Sequence, residues 1–450
     1  MTVREALAPT HVRRSDELAV WEPENLEFWR TKARGRAWVT LIITTASLTM
    51  AFSTWFLVSA LVVQLAGVGF TLTQSQLYWL TAMPGLAGGL MRIVHTFLVP
   101  IFGTRRLVAV STVSLLLPLV GWAVAVQNPA TPYWVLLLLS FLTGLGGGNF
   151  SSFMPSTSLF FPKRLQGTAL AIQAGIGNFG VSVVQFLTPW IIGFALFGSL
   201  AGGPQTNGGG SSVWLQNAAA VYVPIVAVLA VAAFVALRSV PVRANFRDQL
   251  DIFRSQHTYW MTILYIATFG TYSGLSATFP LLIRTEFGKL PGAPNPLAFA
   301  FLGPLVGSAM RVIAGPLSDR FGGARVTQVA CLGLVAATVG LTFYTSPTSV
   351  DSFPMFLTAM LGVFFFAGIG NASTFKQMPM LFEPRRAGGV IGGTAAVAAF
   401  GPFVVSLLIG QSYASSGSPR PFLYGAIAFF ALASAVNWWC YARPGAKSPC

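Results

Sequence analysis

Apolar stretches bounded by charged residues or Gly/Pro clusters recur along nearly the whole chain. They fall near 37–66, 74–98, 106–127, 132–160, 168–198 and 213–237, then near 258–286, 296–318, 325–345, 352–382, 388–412 and 420–441. Each can cross a hydrocarbon layer of about 30 Å as a helix, whereas a barrel strand needs only about 9–11 residues. In lipid a backbone must satisfy its own hydrogen bonds, so windows of this length predict an all-α membrane protein with twelve transmembrane helices. Only 9% of the 450 residues are charged and 54% are hydrophobic, against about 25% charged in soluble domains. The remaining residues suffice for short connections and one polar arm, so no separate soluble enzyme domain is expected. The longer windows read as tilted helices whose ends project beyond the hydrocarbon.

The first 36 residues are polar and hold six of the twelve acids, which predicts neither a cleavable signal peptide nor an anchor. Its segment WEPENLEFWRTKARGR reads as a membrane-surface helix feeding the first span, with no partner implied. With the N-terminus placed in the cytoplasm, twenty-one Lys and Arg fall on the cytoplasmic side, three on the opposite side and three inside spans. That asymmetry is what the positive-inside rule requires, and an odd number of spans would scramble it. Both termini are therefore expected in the cytoplasm. The basic residues are dispersed, so the net charge of +15 does not imply nucleic acid. Cys331, Cys440 and Cys450 show no CxxC spacing, and neither a metal site nor a disulfide is expected. No cofactor is expected either, and the chain reads as a monomer.

The basic connection 238–257 divides the chain near its middle, and the two halves are related. A shift of 219 residues sets PGLAGGLMRIVHTFLVPIFGTRRLV (84–108) on GPLVGSAMRVIAGPLSDRFGGARVT (303–327) without a gap. A shift of 224 sets GLGGGNFSSFMP on GIGNASTFKQMP, and one of 222 sets FFPKR on FEPRR. The spacing predicts an arm over 1–36, a six-helix bundle over 37–237, the linker, a second bundle over 258–441 and a tail over 442–450. Parallel repeats of this kind characterise many secondary transporters.

An Arg in the middle of a span costs about 2.5–3.5 kcal/mol on insertion scales, yet Arg92 and Arg311 stand at equivalent points of the two repeats. Small residues flank them: Gly85 and Gly88 before the first, Gly303 and Gly307 before the second, Gly315 one turn after it. Such faces allow close helix packing. All acids fall in the arm, the linker or at helix ends, so no carboxylate is available as counter-ion. The missing charge is best supplied by a small anionic substrate held in guanidinium forks. This argues against sugars, cations and drugs; by charge alone it does not separate nitrate from phosphate, sulfate or a carboxylate.

Two glycine-rich segments, 144–185 and 367–393, lack the ending and the preceding strand of a phosphate loop. They resemble the paired signatures of the nitrate/nitrite porter (NarK) family within the major facilitator superfamily, and similarity in helices one, two, five, seven and eight extends the resemblance over most of the chain. It implies the major facilitator fold, with nitrate and nitrite as substrates, in a bacterial inner (plasma) membrane. It implies that Arg92 in GGLMRIVHTF and Arg311 in GSAMRVIAG clamp the anion. Asn178 in GIGNFGVS, Tyr265 and Phe269 in LYIATFG, Phe150 in GGGNFSS and Phe52 in MAFSTW would line its cavity. GPLSDRFGGAR resembles the superfamily's loop motif, in which Asp319 would pair with nearby arginines, Arg320 and Arg325, as a state-dependent latch. Pro100 stands where the first repeat would have that acid.

Two further residues bear on coupling to protons. His95, one turn after Arg92, is either a proton carrier or a neutral hydrogen-bonded core residue. Lys376 either faces the cavity or snorkels to an interface. Together they favour proton-linked nitrate uptake by alternating access. Nitrate/nitrite antiport is the alternative, because an empty carrier would have to occlude two unpaired arginines. An anion channel or a nitrate-sensing receptor on a transporter scaffold is a more distant reading.

Overall fold

The structure, a computed structural model, describes residues 16–240, 252, 254–382 and 384–446, and among these the side chains of all but 199 and 384–388. Arg4, Glu5, Arg13, Arg14, Arg243, Arg247, Asp248, Asp251, Glu383, Lys447 and Cys450, and the side chains of Arg385 and Arg386, lie outside this description.

Every apolar window carries a helix. In chain order they are α1 Leu26–Trp55, α2 Gln74–Thr96, α3 Leu98–Ala125, α4 Tyr133–Ser158, α5 Lys163–Ile191, α6 Asn217–Ala236, α7 Gln256–Phe287, α8 Pro296–Phe321, α9 Gly323–Thr342, α10 Val350–Leu381, α11 Gly389–Ser416 and α12 Arg420–Ala442. Among the described residues eleven are long and apolar enough to cross a membrane. The twelfth, α2, is diluted by Gln74, Gln76, Arg92, His95 and its glycines. The even count puts the start of α1 and the end of α12 on one face, here the terminal face; the opposite one is the distal face.

Local chemistry sets the helix ends. Thr73 and Gln76 form a reciprocal capping box at the start of α2. Asn25 caps α1 by accepting from the backbone N–H groups of Glu27 and Phe28. The first span thus begins eleven residues before its window. The polar run to Arg36 hid that start, although Trp29, Ala33 and Ala37 form a buried stripe along it. At Phe56 the helix breaks, and the chain continues as the short helix Leu57–Leu61.

The repeat is visible in the backbone. Gly103 and Gly322, 219 residues apart, both adopt positive φ, 72° and 88°, the first at a kink inside α3 and the second at the turn that leads into α9, and a side chain would disfavour either conformation. A Cβ on Gly144 would lie 2.7 Å from Gly88 N, and one on Gly368 would lie 2.3 Å from Gly307 O. The contact of α4 with α2 is therefore repeated by α10 with α8. Between the halves, α2 lies along α11 and α8 along α5, pairs that the same repeat interconverts.

Residues 26–36 of the arm are helical and run into the first span, as the sequence suggested, whereas residues 16–25 ahead of them are not helical. Asp16–Glu24 docks on the terminal face of the first half. Trp21 Nε1 donates to Leu159 O at 2.9 Å, and its ring packs on Phe160. Leu18 N donates to Ser239 O and Ser239 N to Asp16 O. Burial of Trp21, Trp29, Phe160 and Phe161 in one apolar cluster supplies the driving force. Asp16 also accepts from Ser239 Oγ at 2.8 Å and lies 3.7 Å from Arg106. The arm thus places an acid beside Arg106 of the first repeat.

Candidate functional site

Arg92 on α2 is fully buried and Arg311 on α8 is 8% exposed. Arg92 Nε donates to Gly147 O at 3.0 Å, and Nη1 reaches across the halves to Ala395 O of α11 at 3.0 Å. That approach depends on glycine: a Cβ at Gly147 would fall 2.7 Å from Gly88 Cα, and one at Gly88 would meet the Trp55 ring at 2.7 Å. Trp55 is fixed in turn by Nε1 donating to Pro84 O at 2.8 Å.

Aromatic rings surround the guanidiniums. The Arg92 guanidinium carbon lies 5.3 Å, 4.8 Å and 4.9 Å from the ring centroids of Trp55, Phe150 and Phe269. That of Arg311 lies 5.4 Å from Phe375. Tyr265 stacks on Phe269 at 5.4 Å and leans on Phe375 at 5.5 Å, with its hydroxyl in the field of both guanidiniums. Such faces attract cations through their quadrupole and leave the N–H edges free to bind. A π-turn over Ile266–Gly270 brings Tyr265 and Phe269 onto this surface together.

Three donors here are buried without a partner: Arg92 Nη2, Arg311 Nη1 and the Tyr265 hydroxyl. Buried polar groups are nearly always paired, and an orphan costs about 1–3 kcal/mol or more when charged. The arrangement therefore asks for a ligand rich in acceptors and carrying negative charge. Among the described residues carboxylates do not meet the demand: Glu286 accepts from Tyr413 and Ser346 at the distal end of α7, and Asp319 is ion-paired at the terminal end of α8.

The structure thus brings Arg92, Phe150, Phe269, Tyr265 and Arg311 together. Phe52 packs edge-on against Phe150 at 6.4 Å and Trp55 at 5.4 Å, as a second layer of the wall. Asn178 is buried on α5 with both amide atoms unpaired, between Gly177 and Gly180, which press on Leu48 and Thr49 of α1. His95 lies apart from the rings, its Nδ1 2.8 Å from Ser152 Oγ. Lys376 is 42% exposed and forms an ion pair with Asp319. In this structure the partner of Asp319 is Lys376 rather than Arg320 or Arg325, the pair expected of a state-dependent latch. The long lysine stem in the last turns of α10 reaches the carboxylate, whereas the Arg320 guanidinium turns to Phe321 and Arg325 is exposed. Gly315, expected to pack closely, has nothing within 4 Å of a Cβ. Sequence reading passed over Trp55 and Phe375, since in a span an aromatic that faces a guanidinium looks like one that faces lipid. The signal available for Trp55 was its setting, three residues after Phe52 and opposite the glycines of α2 and α4.

A sequence profile of the Major Facilitator Superfamily matches residues 43–382. The chain is 63% identical over 434 residues to the probable nitrate/nitrite antiporter NarK2 of Thermus thermophilus, covering 96% of this chain and 97% of that one. The chain belongs to the NarK family of the major facilitator superfamily. A second relative, the nitrate/nitrite transporter NarU of Salmonella typhimurium, is 37% identical over 95% of this chain and 96% of its own. The crystal structure of a D-xylose-proton symporter superposes over 92% of this chain and 98% of that one, with a TM-score of 0.69 at 15% identity, which shows the shared fold. Membership of this family makes the chain a multi-pass membrane transporter rather than an enzyme.

Proposed function

We propose that the chain exchanges nitrate for nitrite across the bacterial inner membrane by alternating access, with both termini in the cytoplasm and the anion held between Arg92 and Arg311. The observation that carries this reading is the set of orphaned donors, Arg92 Nη2, Arg311 Nη1 and the Tyr265 hydroxyl, enclosed by aromatic rings. A planar univalent oxyanion presents acceptors in its plane to guanidinium forks and phenol, and its faces to rings. Sulfate and phosphate carry more charge and a dearer hydration shell into the same few donors. Phe52 and Asn178 complete the lining. The names of the two relatives support nitrate and nitrite as the pair.

Exchange is favoured over proton-linked uptake by what surrounds the titratable groups. Lys376 is held by Asp319 and His95 by Ser152, and the reading of either as a proton carrier rests on residues engaged elsewhere. An unoccupied site leaves two buried guanidiniums facing each other without an anion, and uncompensated buried charge opposes passage through the occluded state. The carrier then returns only when loaded. Reconstituted liposomes test this: nitrate should enter vesicles loaded with nitrite, ignore an imposed proton gradient and fail to enter empty vesicles. Entry into empty vesicles that quickens with an inward proton gradient would replace exchange by symport. Entry that never saturates would mean a channel.

A further inference from the structure

Behind the segment of α7 that carries Tyr265 and Phe269 lies a cavity of about 740 Å³, walled by α7, α11 and α12. That volume is of the size that holds small organic ligands, about 300–1,000 Å³. Ile266 and Gly270 close its inner end, Val404 and Leu408 of α11 form one side and Phe429 of α12 the other. Thr271 apart, its polar side chains gather at the distal end as Gln411, Ser412 and Ser415. The mouth faces outward, since Val404 and Leu408 are 47% and 52% exposed.

The backbone explains why a gap exists here. α7 is widened by the π-turn over Ile266–Gly270, and α11 is interrupted between Ala398 and Gly401. On one edge α7 and α11 are pinned, because a Cβ on Gly401 would lie 2.3 Å from Gly270 O and one on Gly274 would lie 2.4 Å from Val405. On the other edge α12 stands off: Gly425 lines the cavity and has nothing within 4 Å of a Cβ.

Water gains little in an apolar chamber, and empty walls forfeit dispersion contacts. The medium at this mouth is hydrocarbon, and a polar rim sits only at the end nearest the distal surface. We propose that the cleft is a binding site for one phospholipid acyl chain, with the headgroup at the Gln411–Ser415 rim and the chain end against Ile266 and Gly270. The bound chain braces the back of the turn whose front bears Tyr265 and Phe269, so a lipid becomes part of the support of the aromatic wall. The site stands whichever anion is carried.

The test uses the full chain in nanodiscs containing a phospholipid with a photoactivatable group at the end of one acyl chain, with cross-links located by peptide mass spectrometry. Labelling should concentrate on Ile266–Gly270 and Phe429, and Gly425→Phe, which fills the cleft, should abolish it. Labelling spread evenly over the lipid-facing helices, or unchanged in Gly425→Phe, would overturn the proposal. Displacement of the label by an alkyl maltoside but not by unlabelled phospholipid would overturn the assignment to lipid. Should Gly425→Phe fail to fold, the labelling pattern of the unaltered chain decides alone.

Discussion

A guanidinium has five N–H donors in a fixed fork and keeps its charge at any physiological pH, so inside a membrane protein each unpaired donor is a demand on whatever enters. Arg92 satisfies Nε and Nη1 on backbone carbonyls and leaves Nη2 open. Arg92→Lys keeps the charge and loses the fork. Hydrogen bonds to charged groups are worth about 1.5–3 kcal/mol, so nitrate affinity measured by calorimetry should fall about ten- to a hundredfold; an unchanged affinity would remove Arg92 from the site. Tyr265→Phe deletes a hydroxyl that faces the guanidiniums of Arg311 and Arg92. Its thermal midpoint should hardly move, while nitrate affinity should drop about two- to tenfold, the worth of one neutral hydrogen bond of about 0.5–1.5 kcal/mol. A large loss of stability would show that the hydroxyl serves the fold instead. The arginines were legible in the sequence because charge inside an apolar span is costly and occurs at matching places in both repeats. Trp55 and Phe375 were not, since burial of an aromatic in a span is cheap and carries no direction.

At the scale of elements, glycine decides how near two helices come. Gly368 in α10 meets the Gly307 carbonyl and Gly144 in α4 meets the Gly88 backbone, so the α2 and α8 arginines are pressed towards the midline by the helices behind them. Gly368→Ala should lower the thermal midpoint and impair transport, overpacking typically costing about 1–3 kcal/mol. Gly315→Ala, where nothing lies within 4 Å, should leave both unchanged or raise stability slightly, because alanine is the better helix former by about 1 kcal/mol. Equal effects of the two substitutions would refute the close-contact account. Helix positions followed from apolar windows with good fidelity, because a bilayer enforces both length and composition. Where the structure goes beyond the pattern, tertiary packing decides: α1 starts inside the polar arm because Trp29 and Ala33 find a hydrophobic bed, and in this structure Asp319 takes Lys376 across from α10 rather than an arginine close in sequence.

Across the whole molecule, the halves meet through the repeat-related pairs α2 with α11 and α5 with α8. Polar clasps join them towards the distal face. Arg284 Nη1 of α7 donates to Val62 O at 3.1 Å and to Val63 O at 3.0 Å, beyond the end of α1. Gln185 Nε2 of α5 donates to Ser276 O of α7 at 2.8 Å. Tyr78 of α2 stacks on Tyr413 of α11. Arg284→Gln removes two charge-assisted bonds from this seal. Electron–electron resonance between spin labels at Ala66 and Lys289, both exposed, should then show a longer and broader distance distribution, and an unaltered one would mean that the clasp does not hold the distal side shut. The central claim is that one anion is shared by two arginines from opposite halves. A double-mutant cycle tests it most directly: nitrate dissociation constants are measured for the unaltered chain, Arg92→Lys, Arg311→Lys and the double variant. Sharing predicts that the second substitution costs far less affinity once the first is made. Strictly additive losses would contradict a single site between the two guanidiniums.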